Sequence, residues 1–318
     1  MNITKKAVIS ARTVDKTGLR YRLRRDISVN KTLYLLVLPV VAFYIIFNYI
    51  PMYGAVIAFK DFTPGKGILG SPWVGLKHFH DFFTDAYFLR SFKNTIIISL
   101  SSIVFGFPAP IILALLINEI RRKSFMKTVQ TVTYLPHFIS LVVICGMIKT
   151  FTAADGLIGS LFARFTDGLD MLNVSSYFVT IYVISDIWQG VGWGSIVYLA
   201  ALTGIDQELY EACRIDGAGR WKQTLHVTLP GIMPTIVIML ILRMGSLLGV
   251  GFEKIILLYN ANTYETADVI SSYVYRRGLQ EQAWSYSSAV GLVNSVINFI
   301  LIIATNWFSR KVNDVSLW

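Results

Sequence analysis

Residues 204–230 read GIDQELYEACRIDGAGRWKQTLHVTLP. The stretch lies between two long apolar runs, and its punctuation decides how they are joined. Gly204 ends the first run. Asp206 can cap a helix, and Glu208 then sits in the first turn, where the helix dipole favours an acid. Leu209, Ala212, Cys213 and Asp216 follow at helical spacing on one face. Gly217 and Gly219 break that helix, with only Ala218 between them. A second short helix fits Arg220–Thr228, and Leu229-Pro230 opens the next apolar run. The residues predict two short helices joined by a bend without bulk, whose backbone a partner can approach closely. By themselves they leave two roles open: a peg that fits a cleft on another protein, or an amphipathic loop resting on lipid.

The apolar runs on either side belong to a set of six. The chain has 318 residues, of which 54% are hydrophobic and 15% charged. A soluble domain would carry roughly 25% charged residues, so lipid is the expected solvent. About 20 apolar residues cross the hydrocarbon core. Leu33–Ala58, Thr95–Ile117, Val132–Ile148, Tyr177–Leu202, Gly231–Leu258 and Ser287–Phe308 meet that length or approach it. The fold class expected is an all-α integral membrane protein with six transmembrane helices. Pro39 and Pro51 predict a kink in the first span, and Pro136 and His137 interrupt the start of the third. The chain divides into a basic tail over 1–31, a six-helix domain over 32–309 with the 203–230 loop inside it, and a tail over 310–318.

The net charge of +10 is distributed unevenly. With both termini in the cytoplasm, the tails and the two loops on that side hold 18 Lys and Arg against 10 in the opposite loops. The positive-inside rule favours that orientation and puts the 203–230 loop in the cytoplasm. The basic tail can also lie on anionic lipid. The opening residues are polar and basic over too long a stretch for a cleavable signal peptide. The first loop on the other side, Phe59–Lys93, is rich in Gly and Pro. Its Trp73, Phe79, Phe82 and Phe83 suit a membrane-interface belt or a docking surface. Cys145 and Cys213 read as small structural residues. His78, His80, His137 and His226 lack ligand spacing, so no metal is expected.

The decisive motif is one of spacing. Glu211-Ala212-Cys213, then Gly217, then Val227, Leu229 and Pro230 resembles the EAA loop of permeases in binding-protein-dependent ABC importers. Cys213 replaces the second Ala of that pattern and Val227 its Ile. Tyr53–Phe62, Gly70–Leu76, Asn94-Thr95 and Tyr134-Leu135-Pro136 are similar to the carbohydrate branch, the LplB-type and MalF-type permeases. Within it the sequence also resembles permeases of bacterial alginate importers. The resemblance implies a type I importer fold, placed in the bacterial inner membrane. It implies four kinds of partner: a second permease subunit, two cytoplasmic ATP-binding subunits, an extracytoplasmic solute-binding protein and an oligosaccharide. Glu211, Ala212, Asp216, Gly217, Ala218 and Gly219 would couple to the ATPase, with Glu211 paired to a basic residue and Gly217 setting the bend. No Walker-type loop is present, so ATP and Mg would be used by the partners and this chain would have no catalytic residue and no cofactor. Nothing points to nucleic acid.

Polar groups inside spans are the expected places for a substrate pathway. Arg243, expected near the middle of the fifth span, could meet an acidic sugar, or it could pair structurally with Asp186. The run Asp186–Trp193 holds the other candidates. In maltose-type importers the matching stretch lines the sugar site, which points to Trp188, Gln189, Gly190 and Trp193; glycines for packing and tryptophans at the interface are the bland alternative. Glu253 and Lys254 read as a loop-end ion pair. Two other classes make different demands on the sequence. A stand-alone secondary transporter or channel would often show an internal repeat. An intramembrane enzyme would need a convergent catalytic cluster.

Overall fold

A computed structural model describes residues 25–313; most of the N-terminal tail and the end of the C-terminal one lie outside these. The described residues are almost wholly helical, with one isolated antiparallel bridge between Lys60 and Trp73. Residues up to Val56 form one unit and Ile57 onward a second. The first unit holds all but the last three residues of helix α1, which begins at Lys31 and ends at Phe59. Its run of Leu, Val, Ile and Phe suits lipid on all sides.

The second unit is built from α2 (Lys77–Thr84), α3 (Phe88–Asn118), α4 (Lys123–Phe138), α5 (Leu141–Thr152), α6 (Ser175–Thr203), α7 (Gln207–Ile215), α8 (Arg220–Met244), α9 (Phe252–Leu258), α10 (Ile270–Tyr275) and α11 (Trp284–Asn313). The first apolar segment read from the sequence falls on α1, four others fall on α3, α4–α5, α6 and α11, and the Gly231–Leu258 segment is split between α8 and α9. Among the described residues, α1, α3, α8 and α11 are long and apolar enough to cross a membrane, and the bent pair α4–α5 makes a fifth. The sixth, α6, has the length, 29 residues, but carries Asp186, Gln189 and several Ser and Gly. It is the more polar helix because it is the central one. It packs against α3, α4 and α8.

Two spans depart from the sequence reading. The third is not one straight helix: α4 and α5 meet at 99°. Pro136 tightens the last turn of α4, and Ser140 starts α5 by accepting from the Val143 N–H. The fifth does not continue to Leu258. It ends at Met244, because Gly245, Gly249 and Gly251 break the run, and the chain returns as the short α9. Arg243 therefore lies in the last turn of α8 and not in its middle.

The prolines leave a regular mark. Widened π turns span Ile45–Tyr49, Ser102–Gly106 and Thr224–Thr228. Each ends two residues before a proline: Pro51, Pro108 and Pro230. A proline offers no N–H, and its ring crowds the carbonyl four residues back. Widening the preceding turn relieves that clash without ending the helix.

Two clusters hold α6. Near its first half, Phe178, Tyr182 and Val183 pack with Ile98, Cys145, Ile255 and Leu258. Near its second half, Tyr198 and Leu202 pack with Ile111, Ala114, Val227 and Ile232. Small residues set the closest approach. A Cβ at Gly192 would stand 2.1 Å from the Thr133 carbonyl oxygen of α4, and one at Gly194 would stand 3.0 Å from the Pro110 ring. In the 59–93 loop Phe82 is buried against Phe88 and Tyr286, so it is a core residue and not part of a belt. Trp73 and Phe83 stay exposed.

Candidate functional site

The first element is the 206–230 loop. The Asp206 carboxylate accepts from the Glu208 N–H at 3.0 Å and starts α7. The helix ends at Ile215, where Gly217 takes φ +75°. The Gly217 N–H bonds to the Arg214 carbonyl at 3.0 Å, and the Ala218 N–H to the Cys213 carbonyl at 2.9 Å. These two bonds form a Schellman cap, which needs a left-handed residue where Gly217 stands. Gly219 has an ordinary extended backbone, with φ −67°. Gln223 Nε2 donates to the Ala218 carbonyl at 2.7 Å and closes the bend onto α8. Tyr210 and Thr228 hydroxyls, 3.0 Å apart, tie α7 to the start of α8.

The six coupling residues read from the sequence are brought together at this bend. Glu211, Ala212, Asp216, Gly217 and Gly219 are exposed, and Ala218 is half-buried. Among the described residues no ion pair engages Glu211. Two large apolar side chains that the sequence reading passed over flank the bend: Ile215 is 86% exposed and Trp221 78%. Their signal was an apolar residue on the polar side of an amphipathic helix.

The second element is a polar cleft of about 210 Å³ between α3, α6 and the end of α8, lined by Ser99, Ser102, Tyr182, Asp186, Arg243 and Ser246. Asp186 does not pair with Arg243. Its partner is Lys254 of α9, with Nζ 3.5 Å from Oδ1. Lys254 is buried, donates to the Tyr182 carbonyl at 3.3 Å and lies 4.9 Å above the Tyr182 ring. The loop-end pair of Glu253 and Lys254 is thus replaced by a pair between α9 and α6. Arg243 is exposed, and among the described residues no carboxylate lies within ion-pair distance of it.

The four residues of the 188–193 run do not share one face. At about 100° per residue, Gln189, Gly190 and Trp193 fall within about 60° of Asp186, and Trp188 points the opposite way. Trp188 lines a separate, apolar cavity of about 480 Å³ with Ile144, Met147, Phe151 and Ile181. Trp193, half exposed, stacks on His137 at 4.6 Å where α4 meets α5. A Cβ at Gly190 would meet open space.

A third cluster joins the turn after α2 to residues in and around α10 and α11, and the sequence reading missed it. Asp268 is fully buried and takes both terminal nitrogens of Arg276, at 2.6 and 3.3 Å. Asp85 accepts from Tyr273 at 2.5 Å and from Tyr286 at 3.1 Å. Burial alone would push the Asp85 carboxyl up, but the hydrogen bonds from Tyr273, the Tyr87 N–H and Tyr286, with the Arg277 charge, hold it below its ordinary range.

Residues 106–314 match the family model described as binding-protein-dependent transport system inner membrane component. The chain is similar to Protein LplB of Bacillus subtilis, with 42% identity over 93% of this chain and 92% of that one. It is equally similar, at 42% over 95% of both chains, to the polygalacturonan/rhamnogalacturonan transport system permease protein YteP of the same organism. A chain in the crystal structure of a bacterial ABC transporter involved in the import of the acidic polysaccharide alginate superposes with a TM-score of 0.84. Their identity is 43%, over 92% of this chain and 99% of that one. A second such structure, in complex with alginate pentasaccharide-bound periplasmic protein, gives 0.84 and 42% over 93% of this chain and 100% of that one.

Proposed function

This chain belongs to the inner membrane components of binding-protein-dependent transport systems, and from that premise we propose that it is a permease subunit of an ATP-driven importer for acidic oligosaccharides. Family membership favours this over a stand-alone carrier or channel. The observation that carries the coupling half is the Schellman-capped bend, which leaves Gly217 exposed at the turn and Glu211 exposed on α7 before it. Such a turn fits a cleft on an ATPase subunit and moves with it. The importer then comprises this chain, a second permease, two cytoplasmic ATP-binding subunits and an extracytoplasmic binding protein. ATP and Mg are used by the ATPases, and this chain carries no catalytic residue. Both termini face the cytoplasm, with lipid around the spans.

The acidic character rests on Arg243, the exposed guanidinium of the cleft, and it agrees with the polyuronide substrates in the names of the relatives. Guanidinium meets carboxylate in a bidentate, charge-assisted pair, and a neutral sugar has no anionic group to complete it. Gln189, Gly190 and Trp193 on the same side of α6 would guide sugar rings. Trp188 falls outside this pathway.

The test is ATPase stimulation of the reconstituted importer by loaded binding protein. Alginate pentasaccharide is expected to stimulate. Arg243→Gln is expected to raise the half-saturating concentration for it about tenfold, which corresponds to about 1.4 kcal/mol. Stimulation by neutral oligosaccharides alone would remove the acidic reading.

A further inference from the structure

The cleft is lined by one cation, Arg243, and one carboxylate, Asp186, and a second cation, Lys254, is buried beside it and takes the carboxylate. Asp186 stands between Lys254 and the space that Arg243 lines. The Lys254 side chain is 4% exposed, while that of Asp186 is 42% exposed. Lys254 is therefore enclosed, and Asp186 is its nearest carboxylate. A buried ammonium without a counter-charge is strongly unfavourable, so Lys254 commits Asp186 to itself. The further bonds of Lys254 fix its position: a carbonyl at 3.3 Å and a ring face at 4.9 Å, both from Tyr182 on the same helix as Asp186.

We infer that Lys254 is a positioning residue: by holding Asp186 it stops that carboxylate from cancelling Arg243, and so keeps the cleft receptive to an anionic sugar. The inference rests on the reading of Arg243 as a sugar-carboxylate contact. Without Lys254, Asp186 would share the cleft with Arg243 and turn toward it, because opposite charges in a low-dielectric site attract strongly. The cleft would then present a closed ion pair in place of a guanidinium. Lys254 itself need never touch the substrate. Its placement on α9, the short helix formed after α8 breaks off at Met244, explains why a break that shortens a span is useful: it returns a lysine to the side of α6.

The experiment uses the assembled importer in lipid nanodiscs and measures direct binding of alginate pentasaccharide, with melting temperature and basal ATPase rate as structural readouts. Lys254→Met is expected to weaken binding about tenfold. Lys254→Arg keeps the charge and is expected to stay within about twofold of wild type. The decisive variant is Lys254→Met with Asp186→Asn, which removes the stray carboxylate and is expected to restore binding. A purely structural lysine predicts instead that the double variant stays weak and that both variants melt early; that outcome overturns the inference. So does unchanged binding in Lys254→Met. If Lys254→Met alone does not assemble, the double variant decides, because it leaves no buried charge unpaired: binding near wild type supports the inference, and weak binding overturns it. Arg243→Gln separates the two levels. If it leaves binding intact, the acidic-sugar reading itself falls. If it weakens binding while Lys254→Met does not, only the role of Lys254 falls.

Discussion

The 206–230 loop and the Asp186 cleft are built in opposite ways. The loop is contiguous: its cap, its left-handed glycine and its closing bonds all join residues within 18 positions of each other. The cleft draws on α3, α6, the end of α8 and the turn after it, and the ion pair at its edge joins residues 68 positions apart. A contiguous element can be read as a spacing. A composite one exists only after the helices have packed. The same contrast separates what each element constrains. In the loop, backbone conformation is the constraint, and in the cleft it is helix packing and charge pairing.

The strongest way to break the comparison is Gly217→Pro. Proline fixes φ near −65°, and this position holds +75°. It also removes the N–H that bonds to Arg214. The Schellman cap cannot form, so transport is expected to fall to background while the bundle still assembles, measured as uptake against size-exclusion behaviour of the complex. Gly219→Ala is the paired control. Its backbone is ordinary and space is open around it, so the intact chain tolerates the change. Loss of transport in Gly219→Ala with normal assembly would mean that contact with the partner, and not backbone conformation, governs the bend. Glu211→Lys reverses the charge offered to the ATPase and is also expected to abolish transport.

A smaller effect sharpens the other side. Gly192 and Gly190 lie on the same helix and look alike in sequence. Only Gly192 faces α4, where a methyl group would collide with the Thr133 carbonyl. Gly192→Ala is expected to cost about 1–3 kcal/mol as overpacking and to lower the melting temperature. Gly190→Ala, open on its side, is expected to leave stability unchanged. Equal melting temperatures for the two variants would contradict the packing described for α6.

These pairs show what the sequence could and could not say. Helix content, five of the apolar spans and the cap and bend over 206–219 were legible, because periodicity and turn chemistry are local; the second short helix expected over Arg220–Thr228 is not separate, since it runs on through a π turn into α8. The π turns were half legible: the prolines were visible, but not that a widened turn would absorb Pro51, Pro108 and Pro230. The end of the fifth span at Met244 was missed because hydropathy continues through Leu247, Leu248 and Val250 while the glycines break the helix. That error moved Arg243 to mid-span and invited a false partner, Asp186. The contacts of Asp85 with Tyr273 and Tyr286 were invisible for the same reason as the cleft, since they join residues 188 and 201 positions apart. The Asp268–Arg276 pair spans only eight positions across α10 and was overlooked because neither residue belongs to a recognisable motif.

The smallest expected effect probes how far local chemistry alone sets the loop. α7 has nine residues and exposed sides, too short to be stable by itself in water. The Asp206 cap is one of the few bonds that start it. Asp206→Ala should cost about 1 kcal/mol, a typical capping loss. Such a change shifts the balance between formed and frayed helix about fivefold. Affinity of the permease for its ATPase subunits is expected to weaken by that factor or less, with sugar binding unchanged. Asp206→Ser keeps an oxygen for the Glu208 N–H and should recover most of the loss. If serine fails where aspartate works, the carboxylate acts on the partner through its charge, and Asp206 joins Glu211 as part of the docking surface. If alanine has no effect, the Tyr210–Thr228 and Gln223–Ala218 bonds hold α7 without its cap, and the loop is less local than its sequence suggests.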